Sequence, residues 1–389
     1  MKQTLGNVTL SLALAAGLSA CTGTGSANTA DAGTTPDLTS AVAVTTVVDY
    51  EQALRSAALK LTGNYPTLTE IQTVRNASAS GKKTAYETLI DDYMSRPTFA
   101  AAMVDFWRDT FKMGGNITVN GATVNLDFAP NYAASLVIGE KPINQVLTAT
   151  TGTCQTFNAT NGTFAPATCP NASAVGVFTD AGVQAQFFSN MAFRRVRWVQ
   201  ETFACTKFPA ETSGTPESHP GGSYVNPWPF NSITGGQNAT KPLIDFQDDK
   251  SIICANCHGT MNHQAPLFAN FNAAGVPQGT VQVQVPVPNS PIAKLTDWLP
   301  AGETTAWRNG KPTKDITEFA AAVAADPVFA SCMVNRIWNW GMSRPDVIDD
   351  GATITADLAS KLTTELMGNN WNLKKSVRSV FTSDSFVNF

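Results

Sequence analysis

Cys254-Ala255-Asn256-Cys257-His258 is the stretch on which the reading of this 389-residue chain turns. Two thiols three residues apart fall on one face of a helical turn. A histidine follows at once. This C-x-x-C-H spacing is the pattern for covalent attachment of a c-type haem. Each sulfur can bond one vinyl group of a porphyrin, and the imidazole beside them can reach the iron as an axial ligand. The stretch predicts one haem c, covalently held by Cys254 and Cys257, with His258 as proximal iron ligand, in a helical, cytochrome c-like surround. The plainer readings are a structural disulfide or half of a zinc site. Zinc takes about four ligands. The chain has only three histidines, His219, His258 and His263, and no second C-x-x-C, so zinc is the weaker reading.

Working outward, the N-terminus reads as an export signal. Lys2 supplies a short positive region, and Val8 to Leu18 is an apolar run too short for the ~20 residues that span a bilayer. It ends in Leu18-Ser19-Ala20-Cys21, a pattern similar to the lipobox of bacterial lipoproteins, in which the cysteine is acylated. An ordinary signal peptide with a chance cysteine is the bland alternative. Thr22 and Gly23 follow, without the acidic residue that would argue for inner-membrane retention. The expected address is therefore the cell envelope, as an outer-membrane lipoprotein on the periplasmic face. Residues 1–20 form the expected signal peptide. Residues 21–45, rich in Thr, Gly, Ala and Ser, read as a flexible tether.

Cysteine usage agrees with an oxidising compartment. Of seven cysteines, Cys21 is assigned to lipid and Cys254 with Cys257 to haem. The disulfide candidates are then Cys154, Cys169, Cys205 and Cys332, which allow three connectivities. Cys154 and Cys169 enclose a short loop, where a bridge is worth about 3 kcal/mol. Cys205 with Cys332 follows by elimination and would tie the haem region to the C-terminal helices. Charged residues make up 14% of the chain and the net charge is −4, which lacks the basic balance of a nucleic-acid binder.

The fold class expected is mainly α: helical N- and C-terminal units flanking the haem region, with an irregular, short-strand insertion. Apolar residues recur at helical spacing over Asp49–Leu61, where Gly63 is the stop. Thr67-Leu68-Thr69-Glu70 reads as a capping box, Thr84–Met94 as a third helix, and Pro97 onward as a fourth, completing a unit over 46–115. Residues 116–180 read as short strands and long loops, with a hairpin stapled by the first disulfide. The haem-binding region spans 181–300, beginning with one helix over Ala181–Thr206 and including a Pro- and Gly-rich segment, Glu211–Phe246. In the C-terminal unit, 301–389, caps are expected at Thr317, Asp326 and Thr355. Leu373, Val377, Val380 and Phe381 form the face of the last helix.

Three stretches together resemble the planctomycete-type cytochrome c domains and their associated domains of unknown function. Leu54-Arg55 through Leu61-Thr62-Gly63-Asn64-Tyr65-Pro66-Thr67, then Leu89 and Phe106-Trp107, is similar to the cytochrome-like N-terminal domain. Arg195-Val196-Arg197-Trp198-Val199 to Cys205 and Pro209, then Cys254 to His258 and Phe268-Ala269-Asn270-Phe271-Asn272, is similar to the haem-bearing portion. Phe329 to Gly341, with Ser379-Val380-Phe381-Thr382-Ser383-Asp384-Ser385-Phe386, is similar to the C-terminal associated domain. Asn262 and Asn272 stand where that family tends to carry aspartate. The 116–170 insertion and the 211–246 loop have no recognised counterpart. The resemblance implies a haem-c protein of the cell envelope and transfers no substrate.

The distal iron ligand has three candidates: Met191, His219 and Met342. Core filling is the ordinary role of either methionine, and a solvated loop that of the histidine. Met261 and His263 follow the proximal histidine too closely on one helical turn to reach the opposite haem face. Arg195, with Arg194 and Arg197, is a candidate propionate contact, since guanidinium pairs bidentately with carboxylate; a solvated helix face is the bland reading. Three functional classes follow. The first is a lipid-anchored monohaem electron carrier with an unknown redox partner protein. The second is a haem-dependent, peroxidase-like oxidoreductase, or its subunit. The third is a non-catalytic envelope docking protein with structural cysteines. The first leads, because attachment plus an anchor needs no further chemistry to make sense.

Overall fold

Asp49 opens the first helix, α1 (Tyr50–Thr62), by accepting from the amides of Glu51 and Gln52, each at 3.0 Å. Gly63 closes it in the left-handed conformation, at φ 70°, with its amide on the Leu59 carbonyl. The face between, Ala53, Leu54, Ala57, Ala58 and Leu61, is buried. The expected capping box opens α2 (Leu68–Arg75): the Glu70 amide donates to Thr67 Oγ1 at 3.2 Å and the Thr67 amide to Glu70 Oε2 at 2.6 Å. Then follow α3 (Lys82–Tyr93) and α4 (Pro97–Phe111), the latter with proline at its first turn. The computed structural model describes residues 47–189, 191–207, 252–279, 283–284, 292–293, 296, 299–349 and 354–389. The expected signal peptide, tether and Cys21, the 211–246 segment and His219 lie outside the described residues.

After α4 the chain makes a hairpin of β1 (Asn116–Val119) and β2 (Ala122–Asn125), with Ile117 opposite Val124. Asn120 and Gly121, at φ 51° and 81°, supply the two positive-φ positions of the turn. Helices α5 (Phe128–Ile138) and α6 (Gln145–Thr148) follow, where strands and loops alone are expected from the sequence. A second hairpin pairs β3 (Gln155–Asn158) with β4 (Thr163–Pro166). The Cys154–Cys169 disulfide closes its open end. The stapled hairpin is thus present, and the helix α5 between the two hairpins is a correction.

The expected single helix over Ala181–Thr206 is in fact two, α7 (Ala181–Gln186) and α8 (Phe193–Phe203). Ala192 stands between them at φ 56°. The reason lies in Arg195, whose guanidinium donates to the Gln184 carbonyl at 3.1 and 2.6 Å. In a continuous helix those residues would sit eleven positions, about 16 Å, apart. Folding back lets both hold. Phe187 then stacks on Trp198, with centroids 5.4 Å apart.

Helix α9 (Ile252–Phe268) carries the haem motif. Short pairs β5 (Val283–Gln284) with β6 (Ile292–Ala293), and β7 (Ala306–Arg308) with β8 (Lys311–Pro312), lead into the C-terminal helices. These are α10 (Ile316–Ala324), α11 (Pro327–Gly341), α12 (Ala356–Gly368), α13 (Leu373–Phe381) and α14 (Asp384–Val387). Asp315, not Thr317, caps α10: its carboxylate accepts from the Thr317 and Glu318 amides at 2.9 Å. Asp326 caps α11 as expected. Leu373, Val377, Val380 and Phe381 are buried together. The fold is mainly α with short two-stranded insertions. Among the described residues no single helix is long and apolar enough to cross a membrane.

N- and C-terminal helices share one core. Tyr86 on α3 donates its hydroxyl to the Phe381 carbonyl at 2.6 Å. Val47 and Phe389 exchange main-chain hydrogen bonds at 3.1 Å. Two disulfides fix the rest, Cys205–Cys332 tying the end of α8 to α11.

Candidate functional site

Helix α9 lies against α8 and strand β7. Its backbone is helical through both Cys254 and Cys257, so the two fall on one turn, as their spacing predicts. Cys257 and His258 are half-buried at the margin of the core. The edge of the Phe193 ring meets the His258 imidazole, with centroids 5.4 Å apart and planes at 80°. Desolvation holds the His258 pKa below the ordinary histidine value, and a hydrogen bond with Asn262 opposes it in part. The ring is therefore neutral at pH 7, the form that binds metals. His258 Nδ1 lies 3.2 Å from Asn262 Oδ1, one helical turn on. An amide oxygen only accepts, so Nδ1 carries the proton and Nε2 becomes the basic nitrogen. Such a partner fixes both tautomer and ring orientation in metal-ligating histidines. The residues present thus fit a haem with His258 as axial ligand.

Unusually for a core helix, the buried side of α9 is polar: Asn256, Thr260, Asn262, His263 and Gln264 are all buried. Gln264 accepts from Gln200 on α8 at 2.8 Å and donates to the Trp307 carbonyl at 2.7 Å. His263 Nδ1 donates to the Gly259 carbonyl at 2.6 Å, and its Nε2 lies 3.4 Å from Glu303. Burial is the main cause of its lowered pKa. These bonds fix the rotation of α9 about its axis, and with it the direction in which the motif faces.

Arg195 is placed differently from its expected role as a propionate contact. It is buried, and its five N–H groups go to main-chain carbonyls: Gln184 twice, Phe268 at 2.7 Å, and Phe271 and Asn272 at 3.3 Å. Helix C-termini leave carbonyls without partners, and Arg195 caps two of them, those of α7 and α9. No donor is left for a propionate. Burial pulls its pKa down to about 9, which leaves it charged at neutral pH. Arg194 and Arg197 point instead to the surface. Arg336 repeats the device: it donates to the Thr202 and Glu201 carbonyls at the end of α8, at 2.6 and 2.8 Å, and to Asp346 at 3.2 Å.

Of the distal candidates, Met191 is half-buried two residues before Phe193, the residue whose ring meets His258. Met342 ends α11 and packs on the core there. Asn272, the second departure from the resembled family, accepts from the Ala274 and Val276 amides at 2.9 and 3.1 Å, a role an aspartate fills equally. This tight loop requires Gly275, at φ 74°, because a Cβ there would fall 2.0 Å from the Ala181 carbonyl oxygen. The hydrogen-bond partner of His258, which the sequence marks only as a departure, is Asn262; its i+4 spacing from His258 is the signal that identifies it.

The architecture and site define a mainly helical protein with a C-x-x-C-H helix at the margin of its core. Residues 38–150 match the family model PSCyt2, protein of unknown function (DUF1549), a planctomycete cytochrome-c-associated domain. The match takes in β1, β2, α5 and α6, so the first part of the 116–170 stretch has a counterpart after all. No curated protein and no solved structure matches the chain.

Proposed function

We propose that this chain is a lipid-anchored, monohaem c-type cytochrome that transfers electrons in the bacterial cell envelope. Haem would be held covalently by Cys254 and Cys257, and its iron by His258. Bound there, the haem would supply one-electron chemistry, its potential set by axial ligation, burial and hydrogen bonding. The observation that carries the reading is the hydrogen bond from His258 Nδ1 to Asn262, which presents a neutral imidazole with Nε2 as the basic nitrogen. Acylation at Cys21 would place the protein at the outer membrane, within reach of a redox partner protein. The chain's own part is to hold the imidazole: Asn262 fixes its tautomer, Phe193 limits its tilt, and the Gln200–Gln264 bond sets the helix that bears it. The match to a cytochrome-c-associated family over residues 38–150 supports the same class.

The test is a pyridine haemochrome spectrum and an intact mass on protein secreted from a host competent for cytochrome maturation. One haem per chain, lost in Cys254→Ser/Cys257→Ser, is expected. A colourless protein at its apo mass would overturn the reading.

A further inference from the structure

Arg194, Arg197, Trp198 and Glu201 share one face of α8, turned away from Gln200, the residue through which that helix bonds α9. Opposite them stand Lys112 at the end of α4 and Ile348 beyond α11, and the space between is a cleft of about 210 Å³. Its wall is apolar, with Phe187 stacked on Trp198 and Ile348 across from them. Its rim is cationic: Lys112, Arg194 and Arg197 are all exposed. Among the described residues Glu201 is the one carboxylate in the lining, and Arg197 holds it at 2.7 Å. Arg336, also in the lining, is committed to Asp346 and to the Thr202 and Glu201 carbonyls. Asp109, Asp346 and Asp349 line a neighbouring cleft rather than this one. Two cations are left over. Among the described residues neither Lys112 nor Arg194 has a carboxylate at ion-pair distance, and Arg194 reaches only the Phe188 and Gln186 carbonyls, both at a weak 3.4 Å.

Charges of one sign over a low-dielectric wall focus a potential into the space between them. A neutral apolar molecule would leave both cations unmatched. A small hydrated anion would leave the Phe187–Trp198 wall wet. A flat hydrocarbon with one acid group at its end meets both demands: the ring lies against the aromatic wall, the guanidinium takes the carboxylate through paired N–H groups, and the lysine adds a point charge. We infer that this cleft binds an aromatic carboxylate, with Phe187 and Trp198 receiving the ring and Arg194 and Lys112 the acid group. The inference does not depend on the haem.

Calorimetric titration of the full chain with benzoate, benzyl alcohol and acetate tests the ring and the charge separately. Benzoate should bind saturably at one site, roughly tenfold or more tighter than either of the others. Lys112→Met and Arg194→Gln should each weaken benzoate by roughly five- to tenfold, the first without shifting the thermal midpoint. Lys60→Met, which removes the same charge from the neighbouring cleft, should leave the affinity unchanged. Acetate binding as tightly as benzoate would reduce the cleft to a simple anion site, and benzyl alcohol binding as tightly would reduce it to an apolar one; either overturns the inference. So would the absence of benzoate binding, unchanged affinity in both Lys112→Met and Arg194→Gln, or an equal loss in Lys60→Met.

Discussion

His258 and Asn262 form a pair whose chemistry can be tuned by one atom. An amide oxygen polarises the imidazole N–H modestly; a carboxylate would polarise it more and raise the basicity of Nε2. A more basic axial ligand favours the oxidised iron. We predict that Asn262→Asp lowers the midpoint potential of the haem-loaded protein, read by optical redox titration, while Asn262→Leu broadens the axial signal in its magnetic spectrum by freeing the ring. An unchanged potential in Asn262→Asp would place the pair outside the iron's influence. A second residue carries a pH signature. Asp180 caps α7 with Oδ1 on the Val183 amide at 3.0 Å, but Oδ2 is buried without a partner. Desolvation raises its pKa from 3.8 to about 6. The folded state therefore binds this proton more tightly than the unfolded chain. Its contribution is complete below pH 3.8 and fades as pH rises through about 6. The span corresponds to about 3 kcal/mol. Asp180→Asn keeps the cap and removes the titration. Denaturant unfolding between these pH values should show the wild type losing stability relative to the variant, and parallel curves would refute the assignment.

At the level of elements, α7, α8 and α9 are held in one arrangement by Arg195. Hydrogen bonds from a charged donor are worth about 1.5–3 kcal/mol each, and truncating this one leaves three or more carbonyls unmet. Arg195→Met should cost about 3 kcal/mol or more in denaturant unfolding. Arg195→Lys, which keeps charge but not the planar fork, should recover less than half. Nothing in the sequence around residue 195 distinguishes it from Arg194 and Arg197; only the carbonyls of Phe268, Phe271 and Asn272, over seventy positions away, do so. The same limit explains the helix break. Local periodicity over Ala181–Thr206 is helical throughout, and the reversal at Ala192 serves a contact that is not local. Helix α5 was illegible for another reason: Ala129, Tyr132, Ala133, Ala134, Leu136 and Val137 are all buried, so no polar face alternates with an apolar one. Its Pro130 also reads as a loop signal. What was legible was what short-range chemistry decides. The Asp326 cap, the Thr67–Glu70 box, the Gly63 stop and the hairpin between Cys154 and Cys169 all follow from residues within a few positions of one another. The C-x-x-C-H turn belongs to that group, whereas the Gln200–Gln264 and Trp307 supports of α9 do not.

Across the whole molecule, the segment that matches PSCyt2 does not own its core. Tyr86 bonds the Phe381 carbonyl, Phe106 packs edge-on against Trp340 at 5.6 Å, and Trp198 donates to the Phe111 carbonyl at 3.2 Å. The Ile143 amide reaches the Trp371 carbonyl at 2.9 Å, and Arg378 pairs with Asp91 at 2.6 Å. Each contact joins residues 38–150 to chain that lies beyond them. The aromatic contacts matter most, Phe106 on Trp340 together with Phe111 on Trp198 and Phe203: exposing a buried aromatic side chain forfeits about 1.5–3 kcal/mol, and several are involved at once. That sum approaches the whole stability of an ordinary domain. The Cys205–Cys332 bridge adds about 4–5 kcal/mol by closing a loop of more than a hundred residues, and it too joins elements outside the matched segment. We therefore predict that residues 47–150 produced alone keep helical circular dichroism but lose cooperative melting and bind a hydrophobic dye, the signature of secondary structure without fixed packing. Supplying residues 327–389 in the same chain through a flexible linker should restore part of the cooperativity, because α11 and α13 return the partners of Phe106 and Tyr86. A sharp melt of the isolated fragment at the midpoint of the full protein would mean that its helices are self-sufficient and that the contacts across to α11 and α13 add nothing to its stability.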